Sequence, residues 1–253
     1  MVHATSFMKK TLLSLSIASL SVLSNHVVAE QASLKKTYQE PTRGFFLEHG
    51  MVAPAGKASV ELHSGSDEFS SGGGIRLGLS NAELLLNTGI NEYDENALLV
   101  KWGLPTQNQD GSKKTPLIWS GLLGIGHTNI EDENHNHDEQ LSFTFGIAAT
   151  VKADAAVFTV SPKLVYKNSD NADDDTFFEL DLGGYVGLIE TDSGLFSVGA
   201  EALITTEDNI DNSFALGGRW LYNERINIDI VPLVFSDNNF SGIPGLVRLN
   251  IAF

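Results

Sequence analysis

The sequence predicts an all-β fold, an antiparallel up-and-down transmembrane β-barrel of about twelve strands. Three observations predict it. Beyond its N-terminus, the chain contains no run of about 18 consecutive apolar residues, the length that a transmembrane helix requires. From Lys57 onward it consists of segments of about ten residues, the length of a barrel strand, and within each segment apolar and polar residues alternate. The connections between these segments are short and long in turn.

Composition excludes several classes of protein. The 253 residues carry a net charge of -16, and no cluster of Lys and Arg provides a surface for nucleic acid. The absence of cysteine excludes disulfides and thiolate metal sites. It also suits a chain that crosses an oxidising compartment before it folds.

The N-terminus has the pattern of a secretory signal peptide. Met8 is followed by two lysines, an apolar and small-residue run over residues 11–23, and a small-residue site that ends at Ala29. We expect translation to start at Met8 and cleavage to follow Ala29, so that residues 1–29 are the signal peptide. A membrane anchor would need a longer apolar run.

Residues 30–56 are expected to form a periplasmic lead-in or plug, before a barrel over residues 57–253. Residues 30–43 are polar and show no period, whereas residues 44–53 are more apolar than a tail requires. This apolar part is compatible with an extra strand, a short plug or a helix across the barrel mouth. An extra membrane strand would make the strand count odd.

Residues 140–151 give the clearest strand. Leu141, Phe143 and Phe145 fall on one face at period two, and Ser142 and Thr144 fall on the other. A soluble β-sandwich would also alternate, so the connections must separate the two folds. The short connections are residues 80–82, 152–154, 191–194 and 222–224, with 105–115 as a longer member. The long acidic connections are residues 65–71, 91–95, 129–138, 168–174, 205–212 and 236–242.

This rhythm is typical of short periplasmic turns and longer outer loops, and a sandwich has no reason to keep it. The same topology places aromatic residues near both rims, where amphipathic rings meet lipid headgroups. Those near the periplasmic rim are Trp102, Trp119, Phe158, Phe196, Trp220, Tyr222 and Phe253, and those near the outer rim are Phe143, Tyr166, Phe178, Phe214 and Phe235.

The final strand runs over residues 245–253. Val247, Leu249 and Phe253 share its apolar face, and Arg248 and Asn250 lie on the polar face. This ending resembles the terminal strand of Gram-negative outer-membrane β-barrel proteins, which is thought to be read by their assembly machinery. The resemblance implies a location in the outer membrane of a Gram-negative bacterium. It also implies outer-membrane lipid, lipopolysaccharide and the barrel-assembly machinery as partners, with Phe253 as the assembly signal.

In a closed barrel the final strand must pair with the first, near residues 57–64, because an unpaired strand edge would otherwise remain. Arg248 and Asn250 would then lie beside Glu61 and His63.

If the apolar faces meet lipid, the opposite faces line a lumen. Six carboxylates, six cations and one histidine are expected there: Glu61, His63, Arg76, Glu83, Lys101, Lys163, Glu179, Asp181, Glu201, Arg219, Arg225, Asp229 and Arg248. Such charges are expected to pair, because an isolated buried charge is costly. They indicate a small passive, porin-like channel for polar solutes or ions. The alternative is a salt-bridged, closed interior in a non-conducting structural or surface-interaction barrel.

More than half of the 32 acidic residues fall in the expected outer loops or at the adjoining strand ends. These carboxylates would be solvated or share divalent cations with lipopolysaccharide. His127, His135, His137 and Asp138 are weak candidates for a zinc or copper site, since imidazole and carboxylate are suitable ligands. A polar loop that happens to contain histidines is the alternative. No cofactor is expected.

An enzyme is not expected either. Lipid-hydrolysing barrels use a serine and a histidine near the outer leaflet. In the predicted topology His127 lies level with the outer leaflet, and Ser120, Ser142 and Ser213 lie on nearby strands. No Gly-x-Ser-x-Gly, phosphate-loop or His-Glu-x-x-His motif is present in the sequence.

Overall fold

The computed structural model describes residues 42–65, 71–89, 93–104, 117–131, 137–153, 156–169, 174–207, 212–223, 225–236, 240–241 and 245–253. The predicted signal peptide and the first part of the lead-in lie outside these residues. The strands are β1 (Ala58–Gly65), β2 (Gly72–Leu79), β3 (Ala82–Gly89), β4 (Tyr93–Gly103), β5 (Leu117–Glu131), β6 (His137–Ala153), β7 (Ala156–Ser169), β8 (Asp175–Glu190), β9 (Gly194–Thr205), β10 (Ser213–Tyr222), β11 (Ile226–Ser236), β12 (Phe240–Ser241) and β13 (Leu246–Ala252).

The strands form one closed antiparallel sheet. Each strand from β1 to β11 pairs with its sequence neighbour, β13 pairs with both β11 and β1, and the two-residue β12 pairs with β11. The barrel therefore consists of twelve strands, β1 to β11 and β13. The predicted all-β, up-and-down antiparallel barrel is confirmed.

The closing seam has the predicted register. In the pairing of β1 with β13, Glu61 lies opposite Asn250 and His63 lies opposite Arg248. The backbone N–H of Phe253 donates to the carbonyl of Ala58 at 2.8 Å, which extends the seam to the last residue. Both edges of the sheet are thereby paired.

Within the described residues, no helix is long and apolar enough to cross a membrane.

The two faces of the barrel wall show the reverse of a soluble protein's pattern. On β2, Ile75 and Leu77 are 46% and 38% exposed on the outside, whereas Arg76 between them is only 3% exposed. On β10, Trp220 is 39% exposed and Arg219 is 1% exposed. Large apolar side chains thus cover the outer surface and charged side chains are buried inside, although charged residues are normally the exposed ones.

Exposed aromatic side chains lie at both ends of the barrel. At the end with the short turns, Trp220 and Tyr222 pack edge to face with ring centroids 5.2 Å apart. At the opposite end, Phe143 stacks on Tyr166 at 6.3 Å. These pairs lie near the two rims at which the sequence placed its aromatic belts.

A β-bulge modifies the wall between β10 and β11. Leu216 pairs with Leu233 and Gly218 pairs with Ile230, so two residues of β11 lie opposite one of β10. Pro232 lies in this bulge, where its missing N–H breaks no regular ladder bond.

Residues 42–53, called the inner segment below, lie inside the barrel. They form a tight reversal in which the Gly44 N–H donates to the Leu47 carbonyl at 2.8 Å. The backbones of Arg43 and Glu48 pair in an isolated antiparallel β-bridge. Phe45 and Leu47 are 0% and 2% exposed. The inner segment is neither a barrel strand nor a helix; it occupies the lumen as a plug.

Candidate functional site: the inner segment and the charged barrel wall

The inner segment lies toward the short-turn end of the barrel, where β2–β3, β6–β7, β8–β9 and β10–β11 are connected. The wall residues that contact it come from several strands around the barrel. Alternation turns each of these residues inward, because every second side chain of a strand faces the lumen.

Glu201 on β9 provides the central contact. Its carboxylate accepts the backbone N–H groups of Phe45, Phe46 and Leu47 at 2.5, 2.7 and 3.1 Å, and it also accepts the Tyr185 hydroxyl. The Phe45 N–H lies 2.6 Å from that hydroxyl as well. Three successive backbone N–H groups need acceptors, and the buried carboxylate of Glu201 accepts from all three.

Glu48 of the inner segment is held by two cations. Its carboxylate accepts bonds from the Arg76 guanidinium at 2.6 and 3.0 Å and from the Lys101 ammonium at 3.0 Å. Burial alone would raise the pKa of Glu48, but the charges of Arg76 and Lys101 outweigh burial and hold it well below its ordinary value. Glu48 therefore stays ionised inside the barrel.

Glu83 on β3 joins the same network. It accepts a bond from Arg76 at 2.5 Å, from the Thr42 hydroxyl at 2.9 Å and from the Ala53 N–H at 2.7 Å. Because Thr42 and Ala53 are the two ends of the inner segment, one wall carboxylate holds both.

Arginines at and near the seam bind backbone carbonyls of the inner segment. Arg219 donates to the Arg43 carbonyl at 3.2 Å, and Arg248 donates to the Gly44 carbonyl at 3.1 Å. Arg43 in turn pairs with Glu61 at 2.9 Å. Arg219 also forms a two-bond pair with Asp229 at 2.7 and 2.9 Å. Such fork-to-fork pairs fix the orientation of the guanidinium.

A small apolar cluster completes the site. Phe45 packs edge to face on Tyr185 with centroids 4.9 Å apart, and the Arg219 guanidinium lies 4.4 Å from the Tyr185 ring centroid. The remaining buried members of this cluster are Val157, Ala215, Val231, Val234 and Leu246. The lumen is therefore not uniformly polar.

Two glycines permit the close approach of the inner segment to the wall. A Cβ at Gly50 would lie 2.3 Å from the carbonyl oxygen of Ile118 and 2.8 Å from that of Ala148. A Cβ at Gly44 would overlap the carboxylate of Glu201. Any side chain at Gly50 would thus collide with backbone atoms that cannot move without bending the wall.

The structure brings most of the sequence-derived lumen residues together. Those that are at most 5% exposed are Glu61, Arg76, Glu83, Lys101, Asp181, Glu201, Arg219, Asp229 and Arg248. Lys163, Glu179 and Asp181 form a separate cluster, in which the lysine ammonium lies 3.1 and 2.8 Å from the two carboxylates. His63 is half-buried, with its Nδ1 3.9 Å from Glu61.

Arg225 departs from the expectation that it lines the lumen. It lies in the turn before β11 and is exposed, because the regular alternation begins only at Ile226. Sequence reasoning also missed Arg43, Glu48 and Tyr185 as lumen groups. The one signal of the inner segment was its excess of apolar residues in a stretch without a period.

The metal candidates are only partly described. The Nε2 atom of His127 lies 3.8 Å from a carboxylate oxygen of Glu139, and both side chains are exposed. His135 lies outside the described residues, and for His137 and Asp138 only the backbone in β6 is described. Among the described side chains, no group of three His, Asp or Glu is arranged to hold a metal ion.

Fold and site together define a closed antiparallel barrel with an apolar outer surface, a charged interior and an internal plug. The solved structures that are similar to it include the following two. One is a bacterial polysaccharide outer membrane secretin, at 9% identity and a TM-score of 0.41, covering 78% of this chain and 97% of that one. The other is the NanC porin, at 13% identity and a TM-score of 0.43, with the same coverage. No protein-family model and no curated protein matches the chain.

Proposed function

We propose that the protein is an outer-membrane β-barrel of a Gram-negative bacterium and acts as a passive channel for small polar solutes or ions, closed by its inner segment. The outer surface supports the membrane location. Side chains such as Leu62, Phe145 and Leu164, which are 57%, 59% and 52% exposed, would be unfavourable in water. In lipid the same exposure is favourable.

One observation carries the channel proposal: the barrel closes without the inner segment. All twelve barrel strands are paired with both neighbours, and no ladder bond passes through residues 42–53. The segment is held mainly by hydrogen bonds and ion pairs, which water can replace when the segment leaves. It is therefore a removable obstruction rather than a part of the wall.

The charges farther from the inner segment suit a polar solute. Lys163, Glu179 and Asp181 are joined by a second pair on the same side of the lumen, Lys167 with Glu207 at 2.7 Å. Side chains of both signs are partly exposed there. A wall of mixed sign orients a dipolar solute without binding it tightly, as passage requires.

The membrane location is tested by fractionation and gel mobility. We expect the mature chain in the outer-membrane fraction. On a denaturing gel, the unboiled sample should migrate differently from the boiled sample. Recovery in the soluble periplasm, with the same mobility before and after boiling, would refute the barrel's membrane placement.

The channel is tested by planar-bilayer recording of the wild type and of a variant that lacks residues 42–52. We expect rare, small conductance steps for the wild type and frequent, larger steps for the deletion. If both proteins are folded and both bilayers stay silent, the protein is instead a non-conducting structural or surface-interaction barrel, the alternative that its dense buried ion pairs favour.

The proposal assigns no reaction to the protein. His127 is the residue that a lipid hydrolase of this kind would need, so purified protein incubated with phospholipid tests this point. Release of acyl chains that is abolished by His127→Ala would reverse it.

A further inference from the structure

A pocket lies at the short-turn end of the barrel, beside the closing seam. It is bounded by the two ends of the inner segment, the start of β1, the turn between β10 and β11, and the end of β13. Asn227 and Asn250 project into the barrel interior at this point, since each alternates with an outward apolar neighbour. The pocket therefore opens to solvent at the mouth rather than to the lipid-facing surface.

The charged residues in the described part of this pocket's lining are all cations: Arg43, Lys57, Arg76 and Arg225. Lys57 and Arg225 are exposed, and no ion pair joins either to a carboxylate in the part of the chain that the structure describes. The chain as a whole carries a net charge of -16, so this mouth is a local exception. A concave surface with one sign of charge raises the local concentration of counter-ions.

The pocket also offers unused hydrogen-bonding groups. The terminal nitrogens of Arg76 and Arg43 are taken by Glu48, Glu83 and Glu61. The Nε–H of both arginines is nevertheless buried and has no hydrogen-bond partner in the described part of the molecule, and Arg76 is only 3% exposed. Buried donors of this kind are normally satisfied.

Asn227 adds an amide to the pocket. It is 7% exposed, and one end of its side-chain amide is without a partner among the described residues. Rotation of the amide by half a turn would present its N–H groups instead of its oxygen. A ligand with acceptor oxygens and a negative charge is the class of molecule that such donors bind.

We propose that this pocket binds a small soluble oxyanion, of the phosphate or carboxylate class. Guanidinium groups form charge-assisted bonds with such anions, and lysine supplies a point charge. Arg43 belongs to the inner segment, whereas Lys57 and Arg225 belong to the barrel and its turn. An anion held by both parts joins the plug to the wall, and by mass action it stabilises the closed state.

The test is isothermal titration of the full mature chain, in detergent, with inorganic phosphate at low ionic strength. Arg225→Gln and Lys57→Gln remove exposed side chains from the pocket, so both variants should keep the heat-modifiable gel band of a folded barrel. Lys152→Gln is the matched control, because Lys152 lies at the same end of the barrel, at the end of β6, and does not line the pocket.

We expect saturable phosphate binding by the wild type, affinities about tenfold weaker for Arg225→Gln and for Lys57→Gln, and unchanged affinity for Lys152→Gln. Absence of saturable binding, or an equal loss in the control, would overturn the proposal. The titration needs no conductance, so its failure is distinguishable from a failure of the channel proposal. A silent bilayer would likewise leave the titration result standing.

Discussion

The contact of Glu201 with the inner segment predicts how firmly the plug is held. Replacing Glu201 with alanine removes the acceptor of three backbone N–H groups, those of Phe45, Phe46 and Leu47. Phe45 keeps a second acceptor in the Tyr185 hydroxyl, whereas the Leu47 N–H has no other acceptor among the described residues.

The expected loss follows from these contacts. A buried donor that loses its partner costs about 1–3 kcal/mol. The orphaned Leu47 donor, together with the partly compensated donors of Phe45 and Phe46, gives a loss of about 2–4 kcal/mol in docking free energy. At about 1.4 kcal/mol for each factor of ten, the undocked fraction rises by about one and a half to three orders of magnitude.

Hydrogen exchange measured by mass spectrometry tests this number. Peptides covering residues 45–47 should exchange faster in Glu201→Ala by that factor, or reach the rate of an unprotected amide if docking is weaker than the loss. Glu179→Ala is the control, because Glu179 pairs with Lys163 on the same wall and has no contact with the inner segment among the described residues. Equal protection in wild type and Glu201→Ala would refute the assigned role of Glu201.

Three further predictions concern the same assembly. Gly50→Ala should release the inner segment, because the added Cβ would collide with two backbone carbonyls. Phe46→Ala is the control, because Phe46 lies on the exposed side of the segment and its loss should not release it. The hydrogen-exchange rates of residues 45–50 in the two variants test this. Acidification should weaken the contacts of Glu48 well below pH 4.5, because the pKa of Glu48 is lowered in the folded protein, so its stabilisation is complete above 4.5 and is lost as the pH falls toward the lowered value. Hydrogen exchange of the inner segment across a pH series tests this, and release of the segment already at pH 6 would contradict it. Deleting Phe253 should strongly reduce the amount of heat-modifiable protein in the outer membrane. The Phe253 side chain is 66% exposed, so the loss of its packing alone explains only a small decrease. An unchanged yield would argue against an assembly signal.

Strand positions and facing directions could be predicted from the sequence because they depend on a local period of two. The strand at residues 140–151 lies within β6, and Arg219 and Asp229 alternate with Trp220 and Ile228 as the pattern required. The seam also followed from a general rule, since a barrel of an even number of strands must pair its last strand with its first.

The inner segment could not be predicted in the same way. Its position depends on contacts between residues far apart in sequence, such as Phe45 with Glu201, which are separated by 156 positions. No period marks such a contact. Glu48 looks like an ordinary polar residue until Arg76 and Lys101 are seen to converge on it.

The apolar cluster was missed for a related reason. Alternation assigns Val231 to the inner face, but the bulge at Pro232 also turns Val234 inward, and both pack near Phe45. A bulge shifts the register by one residue, and sequence alternation alone does not reveal where the shift occurs.

The most direct test of a removable plug is single-channel recording of wild type, Glu201→Ala and Glu179→Ala in the same membrane. If the inner segment closes the lumen, the open probability of Glu201→Ala should rise by about the factor by which its residues 45–47 exchange faster, until opening saturates. Glu179→Ala changes the lumen wall but not the docking of the segment, so its open probability should equal that of the wild type. A released inner segment without any rise in conductance would show that undocking this segment does not open the barrel, and would contradict the account.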